Sequence, residues 1–309
     1  MCPAPLAGSR RAVRPAPPRW AVLRGDERLR GILLILGATV LFSASDAGAK
    51  YVTQTLPMLE LAWVRYVVFV LVALLVARRQ SRGGGGFASR RPVQQVLRGL
   101  GVLGSTLLFL MALGRLPMAD AAAINFVSPL LITALAVPLL GETVGLRRWL
   151  ALVVGLGGAV LAAQPGSSAF RLAAIFPLLS ALAWAVAMVL TRRFAATERP
   201  GTTLVWTAAS GLLVLTILLP FDTRWPNGLE LALCLGIGVV ASAAQWLVVL
   251  AYRLAPASLL APFSYVQLIW STLLGYLVFG ARPAAAPLLG AAVIAASGLY
   301  AAGRGRART

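Results

Sequence analysis

The sequence predicts an all-α integral membrane protein: ten transmembrane helices forming two inverted five-helix repeats, with both termini in the cytoplasm. Three observations predict it. The composition exceeds what a water-soluble core could absorb, the apolar runs have bilayer-spanning length, and the two halves of the chain match one another. Of 309 residues, 59% are hydrophobic and 12% charged, with a mean hydropathy of +0.84. A soluble domain is about a quarter charged. Lipid must therefore solvate much of this surface.

Residues 1–30 are rich in proline and arginine and carry no 3.6-residue apolar pattern, so they read as a disordered basic tail. The ten apolar runs follow at 31–54, 58–77, 93–114, 118–140, 146–164, 169–192, 201–220, 228–252, 256–279 and 284–303. Each has about 19–25 residues, enough at ~1.5 Å per residue for a hydrocarbon core of ~30 Å. Proline and glycine punctuate them, at Pro57, Pro92, Pro117, Gly141, Pro200, Pro256 and Pro283 among others. A second basic tail closes the chain at 304–309.

The basic residues orient these spans. With the N-terminus in the cytoplasm, the arginines of the tail, of 78–98, and of Arg147, Arg148, Arg192, Arg193 and Arg199 all fall on that side. Arg98 is counted there. The other side keeps only Lys50, Arg65, Arg115, Arg171, Arg224 and Arg282. That is the cytoplasmic excess of basic charge expected of a polytopic protein. It accounts for the net charge of +19 without nucleic acid, and no nucleic-acid-reading motif is present.

One constant shift places Gly99 on Gly238, Pro117 on Pro256, Thr133 on Thr272 and Gly141 on Gly280. Slightly different shifts line up the first two spans of each half, with Lys50 opposite Arg192 in the first and Trp63 opposite Trp206 in the second. The repeats are then 31–166 and 167–303. Five spans per repeat is an odd number, which inverts the second copy in the membrane. Inverted repeats are a common architecture of secondary transporters.

The stretch 41–66 carries Asp46, Lys50, Glu60 and Arg65 in an apolar setting. Asp46 and Lys50 are one helical turn apart and can pair. Counted from Gly31, Asp46 lies ~22 Å and Lys50 ~28 Å along the helix, and Arg65 lies ~10 Å into the next. All four can converge in the outer third of the membrane. One reading makes them the binding or gating groups of a cavity for a charged or zwitterionic solute. The other makes them a brace, Asp46 with Lys50 and Glu60 with Arg65. Met188 and Ala208 stand at the positions of Asp46 and Arg65 in the second half, so a symmetric structural need is excluded. Further candidates are Asn125 and Ser128 beside Pro129, and Tyr265, Gln267 and Trp270 in the aligned span, where Pro129 and Pro262 would break helical hydrogen bonding and expose carbonyls. The glycines at 155–158 read as helix packing. Asp120 reads as a helix cap, and Glu142 with Arg147 and Arg148 as a salt-bridged turn.

No histidine is present, and Cys2 and Cys234 do not suggest a disulfide. His-based catalysis and metal sites are excluded. No Walker-type phosphate loop occurs, so ATP is not the direct drive. Nothing implies a cofactor or an enzyme. The expected partners are a small-molecule solute and the lipid bilayer, and the alternative to a carrier is a channel or a non-transporting scaffold.

Residues 112–142, "ALGRLPMADAAAINFVSPLLITALAVPLLGE", with 147–166 and the second copy at 255–283, resemble the drug/metabolite transporter superfamily in its ten-helix EamA-type branch. The second copy ends in Gly280-Ala281 where that family usually has Gly-Glu; Glu142 keeps the acid in the first. The Asp46/Lys50 pair, Glu60, Arg65 and "LRG" at 97–99 resemble the subgroup of S-adenosylmethionine uptake carriers, to which riboflavin carriers look related. The resemblance implies a secondary transporter of the cytoplasmic (inner) membrane.

Overall fold

A computed structural model describes residues 25–80, 87–116, 118–163, 173–221 and 224–280, with isolated positions between 289 and 297. The described elements are helical: α1 (Gly25–Val52), α2 (Met58–Gln80), α3 (Pro92–Leu113), α4 (Met118–Asn125), α5 (Ser128–Leu140) and α6 (Leu146–Ala163). There follow α7 (Ile175–Phe194), α8 (Pro200–Leu218), α9 (Gly228–Leu254), a single turn α10 (Ala257–Leu260), a 3₁₀ segment (Ala261–Tyr265) and α11 (Val266–Phe279). Among the described residues, seven stretches are long and apolar enough to cross a membrane, the last being Ala257–Phe279. This is an all-α, multi-pass membrane protein. The span expected at 284–303 lies outside the described residues.

Local chemistry sets the boundaries. Helix α1 starts at Gly25, inside the expected tail, with Asp26 and Glu27 in its first turn and Lys50 in its last. Those charges oppose the helix dipole at both ends. Proline opens α3 and α8, where its missing N–H costs nothing. Asn227 and Glu230 form a reciprocal capping box at the start of α9. Gly141 and Gly280, matched by the sequence shift, both end their helices at φ +65°, the left-handed conformation that glycine adopts without strain.

The spans expected at 118–140 and 256–279 are not continuous α-helices. The first breaks at Phe126–Val127, between α4 and α5. The second passes through the 3₁₀ turn that contains Pro262. Proline removes a backbone donor, and both breaks fall in the aligned positions of the two halves.

Packing brings the halves together helix by helix. Helix α1 runs along α9, α3 along α7, and α2 along α8. Likewise α2 touches α9 as α3 touches α8, and α11 touches α1 as α5 touches α7. Two buried clusters result, one around Ile132, Leu152 and Tyr265, the other around Leu61, Leu204 and Cys234, a free and wholly buried thiol. Leu71, Leu75, Leu213, Ile217 and Leu277 face outward, an apolar surface suited to lipid.

Gly155 on α6 serves close packing. A Cβ there would lie 2.7 Å from the ring of Tyr265. Gly155→Ala is therefore expected to destabilise the protein by about 1–3 kcal/mol, the usual range for overpacking. Thermal unfolding in detergent checks this, and an unchanged midpoint would contradict the packing.

Candidate functional site

The broken segments and the helices around them enclose a cavity with about 890 Å³ of atom-free space, its mouth included. Asp46 of α1, Arg65 of α2, Asn125 of α4, Ser128 of α5 and Gln267 of α11 all line it. These five sequence-derived candidates are brought together from remote parts of the chain.

The first helix supplies a carboxylate, which Gln267 orients. Gln267 Nε2 donates to Asp46 Oδ2 at 3.3 Å, while Ser43 Oγ donates to the Gln267 carbonyl at 3.3 Å. The break before α11 is thus tied to α1 from both ends of one residue. Arg65, 9% exposed, faces the same space. Among the described residues it has no hydrogen-bonded or ion-paired partner, and Asp46 is the opposite charge that acts on it most. Asn125 Oδ1 and Gln245 Oε1, both on the cavity wall, are buried without a donor. A water-filled or solute-filled cavity satisfies such groups; an empty one leaves them costly.

An aromatic wall adjoins these polar groups. Phe42 and Trp184 meet edge to face, with centroids 5.7 Å apart and planes at 89°, and both line the cavity. The sequence shift that places Lys50 opposite Arg192 also places Phe42 opposite Trp184. The constant shift pairs Thr106 with Gln245, Asn125 with Ser264, and Ser128 with Gln267, and all six line the cavity. Applying the shift to each candidate residue would have found Ser264. Trp184 and Gln245 follow from the shifts only through Phe42 and Thr106, which carry no charge to mark them in an apolar span.

Four candidates lie elsewhere. Tyr265 is fully buried, its hydroxyl donating to the Leu152 carbonyl at 3.1 Å and its ring 5.6 Å from that of Phe126. Trp270 is off the cavity wall, with a buried indole nitrogen. Lys50 donates to the carbonyls of Leu113 and Leu116 at 3.2 and 3.0 Å, where α3 ends. Glu60 accepts the backbone N–H of Arg224 at 3.3 Å. The expected braces, Asp46 with Lys50 and Glu60 with Arg65, are therefore replaced by these contacts. Physically, Lys50 has a long stem and reaches carbonyls that a helix end leaves open.

Two other assignments change. Arg98 is not a loop cation: it is fully buried, with Nε donating to Thr191 Oγ1 at 2.6 Å and Nη1 donating to Thr207 Oγ1. Glu142 does not close a local turn with Arg147 and Arg148. It accepts the backbone N–H groups of Ala257 and Ser258, each at 3.0 Å, and lies 3.8 Å from Arg192 Nε. Arg192 in turn donates to the Tyr252 carbonyl at 2.7 Å. The side chain of Asp120 is outside the described residues.

The EamA-like transporter family matches the chain twice, over residues 29–164 and 171–301. A riboflavin transporter of Rhizobium johnstonii is 32% identical over 279 residues, covering 87% of this chain and 90% of that one. An S-adenosylmethionine uptake transporter of Rickettsia felis is 27% identical over 275 residues, covering 88% and 92%. A solved crystal structure at 24% identity superposes with a TM-score of 0.75, covering 92% of this chain and 99% of that one, so it shares the fold. The chain belongs to the EamA-like transporter family: it is a multi-pass inner-membrane protein for secondary, non-ATP transport of small molecules, and not an enzyme.

Proposed function

We propose that this protein carries a small organic metabolite by alternating access. Its ten helices would form two inverted repeats, 31–166 and 167–303, with both termini cytoplasmic, rocking about the cavity described above. The observation that carries the reading is the cavity wall. Matched positions of the two halves supply it, and Asp46 and Arg65 add opposite charges to one half only. The paired helix contacts α1–α9 with α3–α7, and α1–α11 with α5–α7, support the same symmetry.

The solute is a flat nitrogen heteroaromatic with a polar or zwitterionic tail. Riboflavin and S-adenosylmethionine, named for the relatives, both have a ring of this kind. Phe42 and Trp184 would receive the ring. Asp46, Gln267 and Asn125 would receive the tail. Edge-to-face aromatic contacts are worth about 0.5–1.5 kcal/mol beyond area burial.

Purified protein in liposomes provides the test. Saturable uptake with counterflow of labelled riboflavin or S-adenosylmethionine is expected, and Asp46→Asn should lower it at least tenfold. Flux without saturation or counterflow would identify a channel, and no flux would point to a scaffold.

A further inference from the structure

We infer that the solute is neutral or anionic and presents a hydrogen-bond-accepting edge to Arg65; a cation is disfavoured. The inference rests on the carrier reading above and deepens it.

The first ground is the unfilled capacity of Arg65. A guanidinium carries five N–H donors in a fixed planar fork. Here it is buried, turned to the cavity, and without a protein acceptor among the described residues. That fork matches two adjacent acceptors held in one plane, as in a carboxylate or a ring carbonyl beside an unprotonated ring nitrogen.

The second ground is charge balance. Asp46 and Arg65 line the cavity. Among the described lining residues, these are the one carboxylate and the one cation, so Arg65 balances Asp46 and no carboxylate is left unmatched. A cationic solute would bury a charge without a counter-charge, whereas a neutral one would not, and an anionic one would still meet the open fork of Arg65.

The third ground is the neutral polar wall. The amides of Asn125 and Gln245 have buried oxygens that lack donors. Hydroxyl or ring N–H groups of a neutral solute satisfy them with no further charge buried. The ring itself seats on Phe42 and Trp184.

The test measures binding and counterflow together, on the full-length protein in nanodiscs and liposomes. Riboflavin serves as the neutral probe with ring carbonyls beside acceptor nitrogens, S-adenosylmethionine as the cation and adenosine as a neutral ring without a carbonyl. Riboflavin is expected to bind at least tenfold more tightly than S-adenosylmethionine. Arg65→Ala and Arg65→Gln, each checked for an unchanged melting profile, should weaken riboflavin at least tenfold and leave adenosine within threefold. The ligand ranking on the unaltered protein stands even if a variant fails to fold. Equal or tighter binding of S-adenosylmethionine, with counterflow intact, overturns the inference and leaves the carrier reading in place. Loss of adenosine and riboflavin binding together in a folded Arg65 variant also overturns it, as does no binding of riboflavin. Binding of riboflavin in the expected order without counterflow supports the inference and defeats the carrier reading.

Discussion

Glu142→Ala is expected to destabilise the protein by about 3–5 kcal/mol, the range for breaking one side of a buried charged contact. Glu142 is 4% exposed. Its two oxygens take the first two N–H groups of α10, and its charge lies beside Arg192. Those N–H groups have no partner within a helix. Removing the carboxylate leaves two buried donors and a guanidinium short of a counter-charge. The damage travels further, because α10 leads directly into the 3₁₀ segment that carries Ser264 to the cavity and on to Gln267. Transport should fall with stability. Glu142→Gln retains one acceptor oxygen and should recover part of the loss. Equilibrium unfolding in mild detergent measures both variants. A loss under about 1 kcal/mol for Glu142→Ala, within the range of an ordinary net hydrogen bond, would show that the contact contributes little.

Arg98 should respond in an inverted order to what side-chain similarity suggests. Arg98→Lys is expected to cost about 2–3 kcal/mol, and Arg98→Met less than about 1 kcal/mol. The arginine fork spans two hydroxyls on different helices, Thr191 of α7 and Thr207 of α8. Each hydroxyl passes its own proton to a helix carbonyl, Thr191 to Ala187 and Thr207 to Thr203, both at 2.7 Å. A lysine ammonium is a compact, strongly hydrated charge that cannot reproduce the fork. Methionine fills similar space and buries no ion, and replacing buried ionic groups by apolar ones is often neutral or stabilising. Unfolding midpoints of the two variants decide the order; a methionine variant less stable than the lysine one would refute it.

The helices were legible because the apolar runs are long and the breakers sit between them. What the sequence could not give was partners remote along the chain. Glu142 lies next to Arg147 and Arg148 in sequence, which suggested a local turn, yet its acceptors are used by Ala257 and Ser258. An exposed helix start attracts a carboxylate whichever segment brings it. Asp46 and Lys50 share a helical face, but the face does not say which neighbour packs on it. Gln267 claims Asp46, and the open end of α3 claims Lys50. Arg98 sits near the start of its span, where a cation is as well placed in a loop as in the interior. Only the two threonines from the second half reveal which. Tyr265 looked like a polar aromatic for a ligand, and the space that Gly155 leaves absorbs it instead.

The buried thiol of Cys234 has a practical side. It lies at 0% exposure within a packed apolar cluster, away from the cavity wall. Aqueous alkylating reagents reach a thiolate only where solvent does. Among the described residues the native protein therefore offers such reagents no background. A cysteine introduced at Ser128 or Ser264, with Cys2 replaced, would be a single chemical address inside the cavity, and Cys234 could stay in place.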